Sequence, residues 1–124
     1  MRLPSILPLL VMALTVQSQE SKPLRVGIIG LDTSHVVAFA ETLNKGPKNP
    51  EDKAKVAGAK VVAAYPHGSK DIESSTKRVP EYTAKVKAMD VEIVDSIDEL
   101  LKRVDVVFLE SNDGRVHWEQ LQPV

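Results

Sequence analysis

The sequence predicts an α/β domain with a doubly wound parallel sheet, three layers deep and about four strands wide. Three observations carry this. Short apolar runs rich in β-branched residues recur along the chain, helical patterns separate them, and the first run ends in a glycine-bearing turn that opens a helix. Runs of this kind, without strict apolar/polar alternation, suit parallel strands covered by helices on both faces.

Leu24–Ile29 (LRVGII) reads as the first strand. Ser34–Leu43 follows as a helix whose Val36, Val37, Phe39, Ala40 and Leu43 share one face, with Asp32, Thr33 or Ser34 as its cap. Lys45–Gly58 carries Pro47, Pro50, two glycines and four lysines, and is expected as a surface insertion rather than an element. Lys60–Tyr65 (KVVAAY) is the second strand and Pro66–Lys70 the turn after it. Asp71–Ala88 predicts one or two helices, Pro80 marking a break or a first-turn position. Val91–Val94 is a short third strand. Ile97–Val104 is a short helix with Ile97, Leu100 and Leu101 on its apolar face and a capping box from Ser96 and Glu99. Val104–Leu109 is the fourth strand, and the loop from Glu110 to Arg115 opens a last helix that Asp113 could cap. Residues 24–124 thus read as one Rossmann-like domain.

The start of the chain is expected to be a signal peptide over residues 1–18, with a linker over 19–23. Met1-Arg2 supply a positive charge, Leu3 to Val16 an apolar stretch, and Val16-Gln17-Ser18 a cleavage site. As a helix that stretch would rise only about 21 Å, short of the roughly 30 Å hydrocarbon core, so no stable membrane span is expected after cleavage. Export to a periplasmic or extracellular location follows.

Composition excludes several classes. The absence of cysteine rules out disulfides, thiolate metal sites and a cysteine nucleophile. A formal charge of −1 with acids and bases interspersed, and few aromatic side chains, give no reason to expect nucleic acid as a partner. His35, His67 and His117 share no short spacing, so no metal is assigned.

Ligands of such sheets sit beyond the carboxyl ends of the strands, here Gly30–His35, Tyr65–Ser69, Asp95–Ser96 and Glu110–Arg115. Gly27 and Gly30 stand as in a dinucleotide turn, where Gly30 would let the backbone approach a pyrophosphate, or would simply make the turn. The fingerprint G-x-G-x-x-G is incomplete, since Asp32 and His35 occupy the second and third glycine positions. Thr33 and Ser34 could donate hydroxyl hydrogen bonds to phosphate. Asp32 would repel phosphate unless it turned away or capped the helix, and His35 reads equally as a ligand contact or a packed histidine. At the second strand's tip the acid that would grip a ribose is absent. His67, Ser69 and Lys70 there suit a 2′-phosphate or an ordinary turn. Ser111 and Asn112 could bond a ribose or substrate hydroxyl, and Arg115 an anion.

VGIIGLDTSHV, the second strand's tip, EIVDSIDELLKRVDVVFLES and NDGRVHWEQ together resemble the N-terminal domain of the glucose-fructose oxidoreductase / inositol dehydrogenase (Gfo/Idh/MocA) family. Val94, Glu99-Leu100-Leu101, Asp105, Val107, Ser111, Asn112, His117 and Glu119-Gln120 match that family's pattern, and the likeness covers nearly all of residues 24–124. The resemblance implies NAD or NADP as cofactor, held by Gly27, Gly30, Leu31, Asp32, Thr33, Ser34, His35, Ser111, Asn112 and His117. It implies hydride transfer on a sugar- or cyclitol-like substrate, and a homo-oligomer when full length. The family's catalytic Glu-Lys-Pro segment and second domain would follow Val124, so the chain reads as an incomplete piece and no catalytic residue is carried over. Two other classes compete: a non-catalytic binding module with a degenerate phosphate turn, and a hydrolase using Asp32 as nucleophile. The hydrolase expects a second acid where Ser34 stands.

Overall fold

The computed structural model describes residues 22–124. The signal peptide expected over residues 1–18, and all but the end of the linker, lie outside them. The described chain is an α/β domain with a parallel sheet flanked by helices, consistent with the Rossmann-like doubly wound expectation.

The elements run β1 (Leu24–Ile29), α1 (Ser34–Lys45), a 3-10 turn (Pro50–Asp52), α2 (Lys53–Val56), β2 (Ala59–Tyr65), α3 (Glu73–Lys87), β3 (Glu92–Ile93), α4 (Ile97–Leu101), β4 (Val106–Leu109) and α5 (Gly114–Leu121). The sheet order is β3-β2-β1-β4 with every pair parallel. The chain therefore winds outward through β1, β2 and β3, then crosses back to add β4 beside β1.

Two apolar clusters cover the sheet's two faces. Val36 and Ala40 of α1 and Val86 of α3 pack with Val26, Ile28, Val61 and Ala64. Leu100 of α4 packs with Ile29, Ala63 and Val94. Ile28 and its neighbour Ile29 thus point to opposite layers, as the period of a strand requires. Val61 and Ala64 share a face although they are three apart. A register shift between Val26 and Gly27, which leaves one extra residue in β2, makes this possible. Beyond the reach of short β3, the Asn44 side chain takes both the N–H of Val61 (2.8 Å) and its C=O (2.9 Å). That satisfies backbone groups the ladder leaves open.

Several local expectations are corrected. Pro80 breaks nothing: α3 is one helix through it. Proline removes one helical hydrogen bond, and both Pro80 and Thr76 are exposed, so the freed carbonyl meets water rather than protein. The Lys45–Gly58 insertion is not bare loop, since Asn49 Oδ1 accepts from Glu51 N (3.2 Å) and starts the 3-10 turn that leads into α2. Only half of the capping box forms. Ser96 Oγ accepts from Glu99 N (3.1 Å), while the Glu99 carboxylate turns to Lys102 and Arg103. Thr33 holds the N-cap position of α1, yet no side chain caps it, and Asp32 points into the protein instead. The third and fourth strands are shorter than Val91–Val94 and Val104–Leu109.

At the amino ends of the strands, Asp105 takes three hydrogen bonds from Arg25: from its N–H (2.9 Å), Nε (3.1 Å) and Nη2 (2.7 Å). These charge-assisted bonds pin the β1–β4 register and hold the Asp105 carboxyl down at about 2, from an ordinary 3.8. A depressed carboxyl stabilises above its unfolded pKa and loses that contribution as pH falls through the folded one. The stability difference between the wild type and Arg25→Ala is therefore expected to be full above about pH 4, to shrink as pH falls, and to be lost only below about pH 2. Urea unfolding at stepped pH measures it, and a difference that does not change with pH speaks against the pairing.

Candidate functional site

β1 carries the chain to the middle of the sheet, and Gly30 turns it with φ of +86°. A side chain there would meet the backbone of Ser111, whose Cα and N would lie 2.7 Å from the added carbon. Gly30 therefore serves the close approach of the β1 and β4 tips, and the space over it is filled by protein. Gly27 sits mid-strand beneath Leu100 and Val104, and Leu31 is fully buried in the core, so neither reaches the strand tips' open surface.

Two crevices flank the β1 tip. The first, about 380 Å³, opens between β1 and β4, where the winding direction reverses. Thr33, Ser34 and His35 at the start of α1 line it, with Ser111 and Asn112 beyond β4 and Arg78 and Tyr82 from α3. The second, about 470 Å³, lies between the β2 tip (Tyr65 to Asp71) and the start of α5.

Asp32 stands between them. It is fully buried. Its Oδ1 accepts the backbone N–H of Asn112 (3.0 Å), a wall of the first crevice. On the other side the carboxylate abuts Gly68, a wall of the second: a side chain added there would come within 2.9 Å of Asp32 Cγ. Oδ2 has no hydrogen-bond partner in the protein. The carboxylate has thus turned away from the amino end of α1 without capping it, and its full burial counts against Asp32 as the nucleophile of a hydrolase.

The first crevice has the donor set a phosphate needs. The Thr33 hydroxyl oxygen is buried and unpartnered. α1 carries no acidic residue in its own first turn, while Glu110 lines the same crevice. Arg78 supplies a cation. His35 is largely exposed, 4.0 Å from Glu110, and does not fill the crevice. Sequence reading missed Arg78 and Tyr82. Their spacing of four places both on one face of α3, which is the signal available, but only the α1–α3 packing reveals which face meets the crevice.

Other candidates are spent on the protein itself. Ser111 Oγ donates to Gln120 Oε1 (2.7 Å), and Gln120 Nε2 donates to the His67 carbonyl (3.0 Å), so a buried glutamine ties the β4 loop to the β2 tip. The His117 ring is held by the Ser111 carbonyl (2.6 Å). Arg115 is clamped by the protein's own carboxylates, Asp71 (2.9 Å) and Asp113 (2.7 Å). Arg115 holds Asp113 down at about 2, and bonds from Ser69, then Arg115, lower Asp71. Asp113 also caps α5 through Arg115 N (3.0 Å). Of the 2′-phosphate candidates, Ser69 is buried on Asp71 while His67 and Lys70 are exposed.

Among the described residues, no helix is long and apolar enough to cross a membrane. Comparison with protein-family models, with curated proteins and with solved structures yields no match for this chain. The Gfo/Idh/MocA resemblance accordingly rests on its motif residues alone.

Proposed function

We propose that this chain is the nucleotide-binding half of an exported NAD(P)-dependent oxidoreductase that transfers hydride to or from a sugar- or cyclitol-like substrate. The observation that supports it most is the crevice at the switch point between β1 and β4, where Arg78, the unpartnered Thr33 hydroxyl and the uncapped start of α1 converge. A crevice outside the carboxyl ends at that point is where open α/β sheets hold ligands. In this reading Thr33, Ser34 and Arg78 take the phosphate oxygens, and the exposed Asn112 side chain takes a ribose hydroxyl. Bound nicotinamide would supply the hydride donor or acceptor.

Calorimetric titration of the folded chain with NAD⁺ and NADP⁺ tests the reading. Saturable binding of one of them is expected, with a thermal midpoint that rises with ligand. At a hundredfold excess over Kd, binding adds about 2.7 kcal/mol of stability. No heat and no midpoint shift at millimolar concentrations of either would count against it.

A second reading is favoured by Asp32. A carboxylate tied across the strand tips suits a non-catalytic binding module whose phosphate turn has degenerated. That reading expects no nucleotide binding at all, with a sugar or a partner protein held instead.

A further inference from the structure

Asp32 lies between the two crevices, beside the Ser111–Gln120–His67 hydrogen bonds that also join the β4 loop to the β2 tip. A dinucleotide laid across the carboxyl ends of such a sheet must run from the β2 tip to the switch point, which are the places these two crevices occupy. Asp32 closes the route between them. Its Oδ1 binds Asn112 N–H on one side and the carboxylate presses on Gly68 on the other. A pyrophosphate and this carboxylate would repel each other over the same ground.

The closure is weakly held for what it buries. A fully buried carboxylate is costly to remove from water unless several donors compensate it. Here a single backbone N–H does so, and Oδ2 has no partner in the protein. The hydrogen bond ends on Asn112, whose own side chain is exposed, while the preceding Ser111 stays tied to Gln120 and His117.

We propose that Asp32 is an autoinhibitory strut: it locks the β1–α1 turn to the β4–α5 loop, and a pyrophosphate-bearing dinucleotide binds only as that lock opens. This rests on the oxidoreductase reading and adds to it a gate that sets the affinity. The ligand loses affinity in proportion to the fraction of molecules held closed, so removing the strut tightens binding.

The test compares the wild type, Asp32→Gly and Asp32→Asn by calorimetric titration with NAD⁺ and NADP⁺, alongside hydrogen exchange at the Asn112 amide. Asp32→Gly is expected to bind at least tenfold more tightly than the wild type and to lose protection at Asn112. Asp32→Asn keeps an acceptor for that amide while removing the charge, so it retains protection and binds with intermediate affinity. It carries the comparison should the glycine variant fail to fold. In the wild type, saturation with nucleotide is expected to release the Asn112 amide. Binding by all three proteins within twofold of one another, or an amide equally protected at saturation, overturns the strut and leaves the oxidoreductase reading standing. Failure of all the folded proteins to bind either nucleotide overturns both.

Discussion

Replacing Gly30 with alanine is expected to destabilise the domain by about 2–6 kcal/mol, a large part of the roughly 5–15 kcal/mol that holds a domain of this kind together. Two costs add. The residue sits at φ +86°, where a side chain strains the backbone by about 1–3 kcal/mol. The new carbon would also lie 2.7 Å from Cα and N of Ser111. These are backbone atoms of the neighbouring strand's loop and cannot rotate aside, and overpacking of this kind costs about 1–3 kcal/mol. Gly58 separates the two costs. Its φ is +95°, but an added carbon there meets nothing within 4 Å, so Gly58→Ala is expected to lose only the backbone part. Urea midpoints of the two variants decide it. Equal losses would mean that the contact with Ser111 is not what requires glycine at position 30.

Truncating Leu100 to alanine is the second large effect, at about 2–5 kcal/mol. α4 is five residues long, and Leu100 is its one fully buried side chain. It fills the layer against Ile29, Ala63 and Val94 and covers Gly27, where a side chain would stand 3.1 Å from it. A helix this short has little stability of its own and is held by that contact. Leu101, only half-buried beside it, is the comparison: Leu101→Ala is expected to cost under about 1.5 kcal/mol. Denaturant unfolding measures both, and similar losses would show that α4 is not anchored through Leu100.

The strands were legible because apolar runs such as VVAA and VVFL sit between helical patterns, and each of these runs forms a strand of the sheet. α1 and α4 were legible for the same reason, through apolar spacing and the Ser96 cap. Pro80 misled because a proline's cost depends on whether its freed carbonyl faces water, which is a property of the packed helix. At the site, sequence reading singled out Asp32, Thr33, Ser111 and Asn112, and these do meet around one strand tip. It did not separate residues that face the crevice from those turned inward. Gly27 and Leu31 lie in the same strand–turn segment yet belong to the core.

Local spacing by itself determined the order of strands and helices and the parallel winding of the sheet, because backbone propensity and burial period act over a few neighbouring residues. What Asp32 does was decided elsewhere. Its donor is Asn112, 80 residues away in the chain, and the loop it abuts holds Gly68. Partners so far apart are brought together only when β4 returns beside β1. Whether the carboxylate caps a helix, faces a phosphate or bars the path between two crevices is therefore a property of the assembled strand tips.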